Sequence, residues 1–142
     1  MLETLNEWYP AQRKMKKKTK RIVVSLCQDS KGDILMGQRN DDKKFTTPGG
    51  HLDDGEKPSD GIKREFKEET GYTVDSVKLL RIKKVAHLII YLYEVKYSGT
   101  QDTGSDPDKE CDSWEYIDPN TVADKLHVPM DRNVALKYYI DN

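Results

Sequence analysis

The sequence has too few cysteines for a disulfide framework or a structural zinc site. Cys27 and Cys111 are the two cysteines among 142 residues. A structural zinc ion needs four nitrogen or sulfur ligands at paired spacings, and neither C-x-x-C nor C-x-x-H occurs. We therefore expect both thiols to be free, as in a reducing compartment.

Long apolar runs are also missing. The first 20 residues contain no apolar stretch of the about 7–15 residues that a secretory signal requires. The longest apolar run, near Val85–Tyr93, is interrupted by His87. It is far shorter than the roughly 20 residues of a membrane-spanning helix. These absences predict a soluble, intracellular, cytoplasmic protein with no membrane partner.

Net charge is small but unevenly distributed. The 24 basic and 25 acidic residues leave a formal charge of −1, which argues against a uniformly basic nucleic-acid binder and against an acidic tail protein. Residues 1–50 carry a balance of +5 and residues 51–142 a balance of −6. The first part is thus expected to favour anions, and the second part could hold cations.

Basic residues are concentrated near the start of the chain. This cluster comprises Arg13, Lys14, Lys16, Lys17, Lys18, Lys20 and Arg21. Such a run is either a solvated arm or a patch that attracts nucleic acid or a phosphorylated substrate. We predict a basic N-terminal leader at residues 1–20 and a single domain at residues 21–142, a length that permits a modest core.

Strand and helix patterns are mixed along this domain. The predicted strands are Arg21–Cys27, Ile34–Gln38, Val77–Lys84, His87–Tyr97 and Ser113–Ile117. Loops are expected at Phe45–Gly50 and Ser98–Asp112, and helices at Pro58–Thr70 and residues 131–141. Pro58 suits the first turn of its helix, and Gly71 suits the left-handed position after the last turn. Without strict βαβ alternation, the pattern favours an α/β (α+β) fold with a mixed sheet.

The predicted helix carries a cluster of glutamates. Glu65 and Glu68 are spaced i, i+3, and Glu65 and Glu69 are spaced i, i+4, so each pair lies on one helix face. Like charges at these spacings destabilise a helix, and a bound cation would reverse the sign of the effect. Hard oxygen ligands of this kind suit Mg²⁺. A solvated face balanced by Lys63 and Lys67 is the alternative explanation.

The neighbouring residues favour the metal interpretation. Ile62 and Phe66 give the opposite helix face an apolar pair, so the helix is expected to dock with its acidic face outward. The Pro48–Gly50 loop precedes it, and glycines let the backbone approach a ligand closely. Arg64 lies inside the acidic cluster, where it can pair with Glu56 or Glu68.

Residues 50–72 resemble the Nudix box, G-x5-E-x7-R-E-U-x-E-E-x-G-U, where U is a bulky aliphatic residue. All the fixed positions match, namely Gly50, Glu56, Arg64, Glu65, Glu68, Glu69 and Gly71. The two U positions depart from the pattern, because they hold the aromatic residues Phe66 and Tyr72. Phe45–Gly50 resembles the common W-x-L-P-G-G, and Lys109–Glu115 resembles the K-x-x-x-x-W-E stretch of MutT-like members.

The resemblance implies a Nudix-type α/β/α sandwich around a mixed β-sheet. It also implies hydrolysis of a pyrophosphate bond in a nucleoside diphosphate linked to another moiety, with Mg²⁺ as cofactor and Mn²⁺ as a substitute. Carried over by position, the metal ligands would be Glu65, Glu69, Glu68, the Gly49 carbonyl and the downstream Glu110. The short chain and the K-x-x-x-x-W-E stretch favour a MutT-like (d)NTP pyrophosphohydrolase.

The resemblance also implies roles for individual side chains. Glu65, Glu68 and Arg64 would form the catalytic group, and an ion pair between Glu56 and Arg64 would hold the loop on the helix. The general base would be Glu65 or a downstream loop acid. The downstream candidates are Glu110 first, then Asp106, Asp108 and Asp112. The expected substrate contacts are Arg39, which can clamp a phosphate, Phe45, which can stack on a base, and Gly50.

Other functions remain open at this point. The basic leader favours a longer substrate, such as the 5′ end of an RNA, and a dinucleoside polyphosphate is a further alternative. The S-Q-P-W-P-F array of NADH-type members and the downstream proline of ADP-ribose enzymes are both missing. Two further hypotheses do not involve an enzyme. The protein could be a catalytically silent nucleotide-binding module, or an interaction protein that acts through the leader. A homodimer is compatible with the sequence.

Overall fold

The computed structural model describes residues 19–99 and 111–126. Its strands are β1 (Lys20–Leu26), β2 (Ile34–Arg39), β3 (Phe45–Thr46), β4 (Gly49–His51), β5 (Val74–Val85), β6 (Leu88–Tyr97) and β7 (Cys111–Ile117). The helix α1 spans Pro58–Thr70, and a 3₁₀ helix spans Pro119–Lys125.

The strands form two sheets. The first has the order β4-β1-β6-β5, in which β1 and β6 are parallel and the other neighbours are antiparallel. The second is antiparallel, in the order β3-β2-β7. The predicted α+β class with a mixed sheet is therefore confirmed. The predicted helix at residues 131–141 lies outside the described residues.

Strand β1 lies at the centre of both hydrophobic clusters. Its β-branched, nearly continuous apolar run is typical of a strand that is buried on both faces. On one face, Ile22 and Val24 pack with Ile90 and Leu92 of β6. On the other face, Val23 packs against the underside of α1. Hydrophobic packing on both faces thus holds β1, and the residues of the strands paired with it, in place.

Helix α1 docks through a short apolar stripe, as predicted. Ile62 and Phe66, one turn apart, have no exposed surface and pack on the sheet. Gly71 follows the last turn at φ 81°, and its N–H donates to the Lys67 carbonyl at 2.9 Å. Both predicted helix ends are therefore confirmed, and the helix is held in a fixed rotation. No helix in residues 19–99 and 111–126 is long and apolar enough to cross a membrane.

Three sequence expectations need correction. The loop predicted at Phe45–Gly50 contains the short strands β3 and β4. They form because β3 pairs with β2 and β4 pairs with β1. His87, predicted inside a strand, lies exposed in the turn between β5 and β6. The 3₁₀ helix after β7 was not predicted; its first turn is capped by the Asp118 side chain.

Both cysteines are free and buried, which confirms the expectation drawn from their number. The Cys27 thiol contacts the Tyr116 hydroxyl at 3.7 Å, and that hydroxyl lies 2.8 Å from the hydroxyl of Tyr97. Burial raises the pKa of the Cys27 thiol, which disfavours the reactive thiolate. This cysteine is therefore part of the packing between the two sheets.

We predict that Phe66→Ala lowers the free energy of unfolding by about 3–5 kcal/mol, because it leaves a cavity under α1. Leu79→Ala is the control, since Leu79 is 44% exposed on β5. Exposed sites usually change stability by less than about 0.5 kcal/mol. Urea unfolding followed by circular dichroism measures both values. Equal losses in the two variants would contradict the buried role of Phe66.

Candidate active site

The loop between β4 and α1 is held on the helix by Arg64. The Arg64 Nε donates to Glu56 Oε2 at 2.8 Å, and Nη2 donates to Glu56 Oε1 at 2.9 Å. This two-point contact is the strong geometry for a guanidinium and a carboxylate. It lowers the pKa of Glu56 to about 2 and raises the pKa of Arg64. The loop and the helix are therefore joined by a well-defined ion pair.

The same guanidinium contacts two further carboxylates. Arg64 Nη1 donates to Glu65 Oε1 at 3.1 Å and to Glu68 Oε2 at 3.2 Å. Its Nη2 also donates to the His51 carbonyl at 3.3 Å. One cation thus touches Glu56 of the loop and Glu65 and Glu68 of the helix, which offsets the repulsion expected from the i, i+3 spacing of the two helical glutamates. This contact network explains how the acidic face persists in a folded helix.

Glu65 reaches β4 beside Gly50. Only 15% of its side chain is exposed, and a Cβ added at Gly50 would lie 2.8 Å from the Glu65 carboxyl carbon. A side chain at Gly50 would therefore displace the Glu65 carboxylate from this position. Burial raises the pKa of Glu65, and the charge of Arg64 opposes that effect.

Glu69 reaches β4 one residue earlier. The Gly49 N–H donates to Glu69 Oε2 at 3.2 Å. In the antiparallel pair of β4 with β1, Gly49 lies opposite Val24, and Gly50 lies opposite Val23. A side chain at Gly49 would collide with the Val23 carbonyl. The glycine pair thus lets two carboxylates of α1 approach consecutive residues of one strand.

This arrangement offers hard oxygen donors for a divalent cation. Within the described residues, no three His, Cys, Asp or Glu side chains converge on one point. Mg²⁺, however, is commonly bound through one or two carboxylates, with water and substrate phosphates completing its shell. Glu65 and Glu69 fit that donor set. Glu68 is 43% exposed and sits on the Arg64 side of the cluster.

The predicted substrate contacts have their own protein neighbours. Arg39 ends β2, and its Nη2 lies 2.7 Å from Asp41 Oδ2 in the following turn. Phe45 in β3 is half-buried against the core that contains Met36. Gly50 lies in the site, as described. Glu110, with Asp106 and Asp108, lies outside the described residues. The binding roles of these residues stay predictions.

One residue of the site was missed by the sequence interpretation. Arg21 was predicted as the first residue of a strand and counted in the basic cluster, without a role in the site, but from β1 it holds the loop that precedes α1. Its Nη1 donates to the Glu56 carbonyl at 2.9 Å, and its Nη2 donates to the Asp53 carbonyl at 3.0 Å. No motif position identifies it. The only sequence signal is its place at the start of a buried strand.

With this geometry established, the comparison with known proteins decides the family. The model of the NUDIX domain matches residues 17–138, most of the chain. The chain belongs to the Nudix hydrolase family. Hydrolases of this family act on pyrophosphate bonds of nucleotide substrates and generally use divalent metal ions. This protein is accordingly a hydrolase of pyrophosphate bonds.

Individual relatives agree with the family. An RNA pyrophosphohydrolase from Dinoroseobacter shibae is 27% identical over 138 residues, covering 81% of this chain and 86% of that protein. A NUDIX hydrolase from Nitrosomonas europaea superposes with a TM-score of 0.74 at 16% identity, over 87% of this chain and 90% of its own. A MutT protein from Bacillus halodurans gives 0.66 at 22% identity, over 84% and 82%. The two solved structures confirm the Nudix fold.

The Glu56–Arg64 pair predicts a pH dependence of stability. A carboxylate whose pKa is lowered by folding stabilises the protein fully above its ordinary pKa of 4.5, and the contribution is lost as pH falls towards about 2. Glu56→Gln should therefore flatten the loss of unfolding free energy between about pH 5 and pH 2. Chemical denaturation across this range measures the slope. Asp75→Asn, at an exposed position of β5, should keep the wild-type slope, and parallel curves for all three proteins would contradict the prediction.

Proposed function

We propose that this Nudix hydrolase cleaves a phosphoanhydride bond at a nucleoside 5′-triphosphate, with Mg²⁺ as cofactor and Mn²⁺ as a substitute. The observation that carries the proposal is the approach of Glu65 and Glu69 to the glycines of β4. Two carboxylates held there leave the remaining positions of a cation's shell to water and phosphate oxygens. Glu68 and the Gly49 carbonyl are the further ligands in this proposal.

The roles of the side chains follow from their contacts. A bound divalent cation supplies charge neutralisation on the phosphates and activation of the attacking water. Glu65 accepts the proton of that water in this proposal, because its carboxylate lies in the site beside Gly50. The downstream Glu110 is the alternative base. Arg64 acts as a positioning residue that fixes Glu65 and Glu68.

Substrate recognition is assigned to the two strands beside the site. Arg39 at the end of β2 binds a phosphate in this proposal, exchanging its contact with Asp41 for a bidentate contact with the substrate. Phe45, which is only half-buried, offers a ring face to a nucleobase. Gly50 has no side chain that would obstruct the phosphates.

Two substrates present the same triphosphate group. A free (d)NTP is supported by the MutT-like K-x-x-x-x-W-E stretch, whose Trp114 packs on the core beside α1. The 5′ end of an RNA is supported by the basic residues ahead of β1 and by a sequence relative that carries the name RNA pyrophosphohydrolase. Of the two, we favour the RNA end, because the RNA pyrophosphohydrolase is 27% identical to this chain, whereas the MutT protein from Bacillus halodurans is 22% identical.

We predict that Glu69→Gln and Glu65→Gln each lower turnover by two orders of magnitude or more, because each removes a negative ligand or the base. Asp60→Asn, in the first turn of the same helix, is the matched control and should retain activity. Steady-state release of phosphate and pyrophosphate measures the rates, and circular dichroism checks the fold. Wild-type turnover in both glutamate variants would overturn the assigned site.

A substrate panel tests the choice between the two candidates. It contains the common NTPs and dNTPs, an oxidised dGTP, ADP-ribose, a diadenosine polyphosphate and a 5′-triphosphorylated RNA, each with Mg²⁺. We expect the highest kcat/KM on the RNA. Release of pyrophosphate from one free nucleotide with a higher kcat/KM would instead establish a MutT-like activity. Absence of turnover on every member would leave a binding module.

A further inference from the structure

The hairpin formed by β5 and β6 has an unusual charge composition. From Ser76 to Tyr93 the sequence contains no Asp or Glu, although the chain has 25 acidic residues. The same stretch contains Lys78, Arg81, Lys83 and Lys84. A surface with this balance attracts anions and repels acidic side chains.

The basic residues lie along an open edge of the sheet. Strand β5 is the outermost strand of the four-stranded sheet in the described residues. Among residues 19–99 and 111–126, no further strand pairs with the outer side of β5, so the backbone N–H groups there have no strand partner in this part of the chain. Two large apolar side chains of β5, Leu79 and Ile82, are also exposed, with 44% and 49% of their surfaces accessible. The edge thus combines backbone donors, positive charge and exposed apolar surface.

Cross-strand pairing places basic side chains on both faces of this edge. Lys83 lies opposite Ile90, which is buried in one core, whereas Lys84 lies opposite Ile89 on the other face. Consecutive residues of a strand point to opposite faces. A chain lying along the outer edge of β5 would therefore have a lysine on each side.

The first residue of β1 lies next to the turn of this hairpin. The Lys20 N–H donates to the His87 carbonyl at 2.8 Å, and Lys20 pairs with Leu88 of β6. Lys20 is exposed. Within residues 19–99 and 111–126, no ion pair engages Lys20, Lys83 or Lys84. These lysines are thus available to an external anion, and we call Lys83 and Lys84 of β5, together with Lys20 of β1, the basic edge.

We propose that the basic edge binds the sugar-phosphate backbone of a single-stranded RNA whose 5′ end lies in the active site. This inference rests on the proposed RNA substrate and adds the surface that holds the nucleotides downstream of the cleaved end. Lysines and backbone N–H groups are common donors to phosphate oxygens. Strand β5 lies three strand spacings from β4, roughly 14 Å across the sheet. A free nucleotide has no downstream phosphates to place there.

Other occupants fit the same edge less well. A second copy of the chain, paired edge to edge, would bring two sets of lysines together, and like charges directly opposite each other destabilise a sheet. Lysines alone can also serve to keep an edge strand from aggregating. That role explains the charge but leaves Leu79 and Ile82 exposed on the same strand. An acidic peptide would satisfy the charge, and the experiment below separates it from RNA.

The test compares K83Q/K84Q with the matched double variant K31Q/K125Q, whose lysines are exposed in a turn and at the end of the 3₁₀ helix. Binding of a short unstructured RNA is measured from about 50 to 200 mM salt, and each lost phosphate contact should reduce the salt slope by about 0.7. We expect the edge variant to lose about 1.4 units of slope and to bind on the order of tenfold more weakly. The control should match wild type.

Kinetics separate this proposal from the proposed function. The edge variant should raise KM for triphosphorylated RNA on the order of tenfold, with kcat on RNA and hydrolysis of a free NTP unchanged. If wild type hydrolyses RNA and both double variants match it, the basic edge is wrong and the RNA substrate stands. If wild type binds RNA through the edge but does not hydrolyse it, the edge is supported and the proposed substrate fails.

Two controls complete the design. Gel filtration and circular dichroism must show that K83Q/K84Q keeps the fold and the size of wild type, because removing lysines from an edge strand can promote association. Poly-glutamate at equal charge concentration is the competitor. If it displaces RNA as well as unlabelled RNA does, the edge recognises an acidic chain in general, and the RNA proposal is overturned.

Discussion

The candidate active site depends on one guanidinium. Arg64 contacts Glu56, Glu65 and Glu68 at the same time, and it also reaches the His51 carbonyl. Without it, Glu65 and Glu68 on the helix would repel each other and Glu56 in the preceding loop, and that loop would keep only its contacts with Arg21. Because the pair with Glu56 is bidentate, the guanidinium plane is fixed, and the carboxylates are fixed with it. The metal chemistry proposed for Glu65 and Glu69 therefore presupposes the guanidinium of Arg64 as an internal cation.

Packing supplies the second constraint. Ile62 and Phe66 set the rotation of α1, and the β1–β4 pairing sets the position of the two glycines. Different contacts therefore position α1 and β4. The carboxylates of α1 meet the glycines of β4 because α1 and β4 both pack against β1. A side chain at Gly49 would collide with the Val23 backbone carbonyl, and a side chain at Gly50 would displace the Glu65 carboxylate.

Much of this was accessible from the sequence. The spacing of Glu65, Glu68 and Glu69, together with Pro58 and Gly71, predicted the helix, its ends and its acidic face. Local patterns are sufficient there because helix periodicity and capping are properties of neighbouring residues. The short strands β3 and β4 were missed, because their pairing depends on partners more than 20 residues away in the case of β4 with β1. The loop contacts of Arg21 were missed for the same reason, since they are 32 and 35 residues distant.

The way Arg21 holds the loop has a consequence for sequence variation. Its guanidinium donates to the carbonyl oxygens of residues 53 and 56, and every amino acid offers such an oxygen. The hydrogen bonds from Arg21 therefore do not depend on which side chains the loop carries. Exposed positions such as Lys57 are free to change charge or size while the path of the backbone stays the same. Exposed side chains of the loop can thus differ between related proteins while α1 begins at the same position.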